Sequence, residues 1–327
     1  MPGSSPSALV IRLDAIGDAL ALAPLLAALR ARGIPTDLVL SPSNAGIFST
    51  RAARRIVVAE FALRSGSRAD RTAVAELGRS LANRNYTHVL VATEDPSGYR
   101  LARATRAPVR VGFNNGWGKP LKTLWSRAFL TYAVGRTAGL DARGPHECEV
   151  IFELGADLVG NREPTRDRAQ LRPLVLESEP APDDRVVLQV TDKWERLGIA
   201  FDEVVDLIRR VAAVGTLRLI GGAREAAYVR RIAAATELPV DVFGEIAAWT
   251  AAIAASRALV APDSGAMHVA GMIGTPVVGV FPPTRDYRLQ VARWSPWAAP
   301  HRIVRADAGW PTRAAAALAE LGVSDTG

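Results

Sequence analysis

The stretch Ser256–Thr284, SRALVAPDSGAMHVAGMIGTPVVGVFPPT, sets Asp263, Ser264 and Gly265 between an apolar run (Ala258–Ala261) and a small-residue helix carrying His268. Asp and Ser are good N-caps, and glycine lets a backbone come close to a ligand. The amides that follow suit a phosphate. The same residues could equally be a plain helix cap, with His268 a packed histidine. Asp18, in Ile16-Gly17-Asp18, follows the first apolar run, where a carboxylate could take a proton from a hydroxyl. An aspartate there is, by itself, more often an ordinary cap, and Asp14 is a weaker competitor. Thr191-Asp192-Lys193-Trp194 holds the only lysine after residue 122. Its compact ammonium suits a diphosphate, or is a solvated surface charge. Glu225, behind Gly221-Gly222, could accept hydrogen bonds from ribose hydroxyls, although a bare Gly-Gly is a weak signal.

These residues need strands to end where they begin. Apolar runs at 8–13, 34–40, 54–61, 88–92 and 109–112 alternate with helical patterns at 19–32 and 73–83, and 125–160 reads as helical. The segment 64–71 reads as a loop, as does 113–120 with its glycines and Trp117. Residues 161–183 mix prolines, acids and arginines without periodicity, which predicts a linker between a domain at 1–160 and one at 184–327. The pattern then restarts with strands at 186–190, 217–220, 240–243, 258–261 and 277–281, helices at 202–214, 224–236, 246–255 and 266–273, and a last helix at 312–321. Two β-α runs predict an α/β protein of two doubly wound sheets facing a central cleft, with ligands at the carboxyl ends of the strands.

Composition narrows the partners. The 327 residues are 49% apolar, enough for two cores and against a disordered chain. No apolar run approaches the roughly 20 residues that cross a bilayer. MPGSSPSALVIRLD has no basic n-region and Arg12 interrupts its apolar run, so no signal peptide is expected. The single cysteine, Cys148, forms no internal disulfide and fits a reducing, cytoplasmic compartment. The net charge of +7 is uneven: residues 1–164 hold 21 Lys+Arg against 14 Asp+Glu, residues 165–327 hold 19 of each. A basic first half points to an anionic partner. Nucleic acid is not expected, because the arginines lack interleaved aromatics or a known module. No G-x-G-x-x-G or G-x-x-x-x-G-K-[ST] loop occurs. No D-x-D or His/Cys cluster points to a metal, and His146-Glu147-Cys148-Glu149 is too isolated to make one.

The pair VIRLDAIGDA (10–19) and APDSGAMHVAGMIGTPVVGVFPPT (261–284) resembles glycosyltransferase family 9, the ADP-heptose:lipopolysaccharide heptosyltransferases. The resemblance implies a GT-B fold of two Rossmann-like domains, acceptor bound by the first and nucleotide sugar by the second, and inverting transfer without metal or cofactor. It makes Asp18 the catalytic base. Thr191, Lys193, Ser264 and Gly265 would hold the diphosphate, Asp263 and His268 the donor sugar, and Glu225 the ribose. Arg110 and His146 fall where the family has similar residues that face the acceptor. The implied donor is ADP-heptose and the acceptor an anionic glycan such as lipopolysaccharide inner core, lipid-linked at the inner membrane surface. A cytoplasmic protein with peripheral contact to that membrane is the matching expectation. Pro282 replaces the family's usual glycine, and Leu188-Gln189-Val190-Thr191 its His-Pro-Gly. Another nucleotide sugar, a small-metabolite acceptor or a non-catalytic sugar-binding protein therefore remain as alternatives.

Overall fold

The computed structural model describes residues 5–61, 67–114, 120–136, 144–160 and 162–321. The chain divides into two compact units, Met1–Thr165 and Arg166–Gly327. The first unit runs β1 (Ala8–Arg12), α1 (Ile16–Leu20), α2 (Ala23–Ala31), β2 (Thr36–Leu40), β3 (Arg55–Val58), α3 (Arg68–Ala82), β4 (His88–Val91), α4 (Pro96–Ala104), β5 (Val109–Asn114), α5 (Pro120–Arg127), β6 (Tyr132–Gly135), α6 (Glu147–Phe152) and α7 (Ala156–Val159). The second begins with α8 (Arg168–Val175), β7 (Asp183–Val190), α9 (Lys193–Arg196), α10 (Phe201–Val214), β8 (Leu217–Gly222), α11 (Ala226–Thr236) and β9 (Val240–Phe243). It continues with α12 (Ile246–Ala255), β10 (Ser256–Pro262), α13 (Gly265–Ile273), β11 (Val277–Phe281), α14 (Tyr287–Trp294), β12 (His301–Arg305) and α15 (Trp310–Glu320).

Each unit holds a six-stranded parallel sheet, ordered β3-β2-β1-β4-β5-β6 and β12-β11-β10-β7-β8-β9. Counted within its own unit, the second order is the first one again. In both, the crossovers leave the central pair of strands in opposite directions, β1 beside β4 and β7 beside β10. That reversal opens a crevice at the strands' carboxyl ends in each unit. β1, β2 and β11 are buried at every position, as strands covered by helices on both faces must be. Ile11 and Leu13 join the core under α3 and α4. Arg12, being next in the alternation, faces the other way.

Several predicted elements shift. The single helix expected at 19–32 is two, α1 and α2, because Pro24 sits in the first turn of α2 and cannot donate to a preceding turn. Part of the segment read as a loop at 64–71 starts α3, capped by Ser67, whose hydroxyl accepts from Asp70 N; its first residues lie outside the described ones. The helical reading of 125–160 missed β6, and no strand was expected at β12. Each pairs with one neighbour, β5 and β11 respectively. Residues 162–183 include α8, which belongs to the second unit. There Arg172 donates from Nη1 to Ile273 O at 3.0 Å and from Nη2 to Ala254 O at 3.1 Å. No helix of the described residues is long and apolar enough to cross a membrane.

Candidate functional site

In the first unit, the crevice after β1 and β4 is built around a buried guanidinium. Arg12 is 1% exposed. Its Nη1 donates to Ala92 O, its Nη2 to Asp18 Oδ1 at 3.0 Å, and its Nε lies 3.5 Å from Asp14 Oδ2. Glu147, fully buried at the start of α6, places Oε1 3.7 Å from Arg12 Nη2 and 2.6 Å from Arg136 Nη2. Arg136 continues to Glu94 at 3.1 Å, and Glu94 to Lys122 at 2.9 Å. The loop after β1 is pinned by Asn44, whose amide donates to Asp14 O at 2.7 Å and whose Oδ1 accepts from Ser41 N at 2.9 Å.

The carboxylates at the mouth differ from the buried one. Asp14 and Asp18 keep 24% and 31% of their side chains exposed, so an incoming hydroxyl can reach either. Burial pushes the Asp14 carboxyl above the ordinary range; Arg12 and a hydrogen bond with Thr93 oppose it, while the Asp18 charge adds to it. A raised folded value means that the folded protein holds this proton more tightly than the unfolded chain. Ionising Asp14 therefore costs stability, increasingly so as pH rises from about 3.9, the ordinary carboxylate value, through the folded one. Asp14→Asn should accordingly melt at or above wild type at pH 7, with the gain gone below pH 4. Calorimetry at both pH values tests this, and a lower melting temperature at pH 7 contradicts it.

In the second unit, the crevice after β7 and β10 collects the residues expected to bind a donor. Thr191 is buried, gives its hydroxyl to Glu225 Oε1, and accepts Lys193 N at 3.2 Å. Burial raises the Glu225 carboxyl, the bond from Thr191 opposes this, and Asp192 pushes it further up. On the neighbouring strand end, Asp263 Oδ1 lies 3.5 Å from His268 Nε2. Burial pushes Asp263 up, but the hydrogen bond and charge of His268 and the Lys193 ammonium outweigh it, so the carboxyl sits below its usual range. A lasting carboxylate repels phosphate, so Asp263 suits sugar hydroxyls while Lys193 suits the diphosphate. Ser264 precedes Gly265 at the head of α13; its hydroxyl is buried and has no hydrogen-bond partner. A buried donor without a partner beside free helix amides is where an anionic oxygen gains most.

Gly221 holds its place for packing more than for ligand approach. A Cβ there would meet Val229 Cγ2 at 2.8 Å and Val190 O at 3.2 Å. Gln189, in place of the family's usual residue, is also structural: its Oε1 accepts from Trp249 Nε1 at 2.9 Å and its backbone O from Trp194 Nε1 at 3.0 Å.

The structure thus brings together Thr191, Lys193, Glu225, Asp263, Ser264, Gly265 and His268, and sets Asp18 beside Arg12. It does not bring Arg110 to the crevice. Arg110 pairs with Val89 near the amino end of its strand, and its guanidinium donates to Phe129 O at 2.8 Å and Ala107 O at 2.6 Å. His146 caps α6: its Nδ1 accepts from Cys148 N at 3.1 Å while Glu149 accepts its backbone N–H at 2.7 Å. Sequence reasoning missed Arg12, Thr93, Glu94, Arg136 and Glu147. Arg12 alone carried a signal, a charge inside an apolar parallel strand. Among the described residues no group of three or more His, Cys, Asp or Glu is placed to hold a metal ion.

Residues 200–318 match the sequence model of glycosyltransferase family 9 (heptosyltransferase). The fold is similar to Escherichia coli heptosyltransferase WaaC with ADP, at TM-score 0.70 and 20% identity over 96% of this chain and 98% of that one. E. coli ADP-heptose lps heptosyltransferase II gives TM-score 0.70 and 16% identity with the same coverage, 96% and 98%. A glycosyltransferase of family 9 from Veillonella parvula gives 0.66 and 17% over 93% and 87%. No curated protein matches the chain by sequence. The neighbours share the GT-B architecture expected from the sequence, and the match over residues 200–318 agrees with the resemblance to the family and supports a glycosyltransferase.

Proposed function

From the family match over residues 200–318, we propose that this chain moves a sugar, ADP-heptose being the leading donor, to a hydroxyl of an anionic glycan such as lipopolysaccharide inner core. Asp18 takes the hydroxyl proton, the freed oxygen attacks the anomeric carbon from the face opposite the diphosphate, and the carbon–oxygen bond to the diphosphate breaks with inversion. ADP leaves with its charge held by Lys193, the Ser264 hydroxyl and the amides heading α13, so no metal or other cofactor is needed for that charge. Asp263 and His268 hold the sugar and Glu225 the ribose.

The observation that carries this reading is the second crevice. A lysine and an unpartnered buried hydroxyl stand at neighbouring strand ends, beside one carboxylate held ionised and another bonded to Thr191. Thermal-shift titration with ADP-, UDP- and GDP-sugars tests it. ADP-heptose is expected to raise the melting temperature of the wild type, and Lys193→Ala to weaken ADP binding by about 10–100-fold, the loss of one charged hydrogen bond. Stabilisation by UDP or GDP but not ADP overturns the donor assignment. No response to any nucleotide sugar overturns the reading itself.

A further inference from the structure

At the start of α13 the second unit carries an aromatic side chain that no step of the transfer chemistry employs. The chain leaving α14 lies along α13, and Gly271 admits it: a Cβ there would meet Pro296 Cα at 2.8 Å and Trp297 N at 3.1 Å. Ala298 N donates to Gly271 O at 2.7 Å. Arg166 clamps Trp297, its Nη1 donating to the Trp297 carbonyl at 3.0 Å and its guanidinium carbon lying 3.7 Å from the ring centre. Nearer the helix start, Trp294 meets His268 edge to face, the ring centroids 5.5 Å apart and the planes at 62°. His268 in turn places Nε2 3.5 Å from Asp263 Oδ1, so carboxylate, imidazole and indole form one contiguous set. Trp294 differs from the tryptophans that serve the fold. Trp194 and Trp249 donate their indole N–H to Gln189, and Trp194 stacks on Trp310 in the core. Trp294 is only partly buried, at the end of a helix that buries no residue, and its N–H has no hydrogen-bond partner among the described residues.

We infer that Trp294 is a specificity-determining residue of the donor crevice, its indole walling the sugar so that a C–H face of the sugar ring lies against it and a sugar hydroxyl accepts from Nε1. The inference rests on the proposed function, since it names what reads the sugar of a nucleotide-sugar donor. A sugar presents hydroxyls around a ring whose C–H bonds are apolar, so its recognition takes a few fixed polar groups together with a flat apolar surface. Asp263, held as a carboxylate, supplies the first, and the indole supplies the second with a donor at its edge. The diphosphate takes its counter-charge from Lys193 and the amides of α13 and gains nothing from an apolar ring. Trp294 therefore separates a nucleotide that carries a sugar from the bare nucleotide.

Calorimetric titration of the full chain with ADP and with ADP-heptose tests it. Trp294→Ala should weaken ADP-heptose binding about tenfold, the loss of one hydrogen bond and a ring contact, and leave ADP within about twofold of the wild type. Trp294→Phe keeps an apolar ring without the N–H and should weaken ADP-heptose about threefold. If the alanine variant unfolds, the phenylalanine variant carries the comparison by itself. The ratio of the two affinities is what a purely structural role would not move. A displaced start of α13 would take its amides away from the diphosphate and weaken ADP as much as ADP-heptose. The proposal is overturned if the variants bind ADP-heptose as the wild type does, or if both ligands weaken together. A wild type that binds neither ligand overturns the proposed function and this inference together, whereas wild-type binding with an unchanged ratio in the variants overturns this inference alone.

Discussion

Asp18→Asn is expected to lower the rate of sugar transfer by about 10²–10⁴-fold, the range that a positioned general base contributes. Its melting temperature should stay close to that of the wild type. The amide is isosteric with the carboxylate, its oxygen can still accept from Arg12 Nη2, and nearly a third of the side chain is already in water. Binding of ADP should not change, because the residues proposed to hold it belong to the second unit. Turnover of Asp18→Asn near the wild-type rate, in folded protein, would falsify the assignment. The same assay on Asp14→Asn separates the two carboxylates. Burial holds the Asp14 carboxyl above the ordinary range, whereas Asp18 sits in the Gly-Asp pair by which the chain resembles its family. A loss confined to Asp14→Asn would move the base four residues back, into the loop between β1 and α1, and leave the rest of the proposal standing.

The second large effect is on stability. Glu147→Ala is expected to destabilise the first unit by about 3–5 kcal/mol, the cost of leaving buried charge without its counter-ion. Two guanidiniums share that carboxylate: Arg12, 1% exposed, and Arg136, whose side chain is 9% exposed. For a unit of 165 residues this corresponds to a fall of roughly 10 °C in melting temperature. Glu149→Ala, two residues along the same helix, removes one capping bond and should cost only about 1 kcal/mol. Equal losses for the two variants would mean that the buried network contributes little beyond helix capping. Differential scanning calorimetry, with the transitions of the two units resolved, gives the comparison.

The residues of the second crevice were legible because each has a local signature. Asp263-Ser264-Gly265 follows a run of buried apolar residues, and Thr191 and Lys193 follow another. A parallel strand buried on both faces ends where polar residues begin, so the strand's end and the polar loop are read in one step. Arg110 and His146 illustrate the opposite case. Residue type and a family position brought both forward as acceptor contacts, yet their side chains are occupied by backbone groups: Arg110 by the carbonyls of Ala107 and Phe129, His146 by the amide of Cys148. Such bonds depend on where a turn or helix terminus falls, and residue identity alone does not say so. The missed strands β6 and β12 are edges. Tyr132 is 59% exposed, and β12 has one buried position of five, so neither shows the continuous apolar run of a central strand.

What the sequence determined by itself was the alternation of buried strands and helices, and therefore two α/β units with loops at their carboxyl ends. It also determined the chemistry those loops could offer: carboxylates after β1, a lone lysine after β7, Asp-Ser-Gly after β10. Burial periodicity and turn chemistry are local, so residues a few positions apart suffice to encode them. Only the tertiary structure decided which charges meet. Positions 12, 94, 122, 136 and 147 form one chain of ion pairs ending at Asp14 and Asp18, and no spacing in the sequence announces it. The physical reason is that the free energy of a buried charge depends on its neighbours in space. The parallel crossovers bring together residues more than a hundred positions apart, such as Arg12 and Glu147, and no local rule can report that.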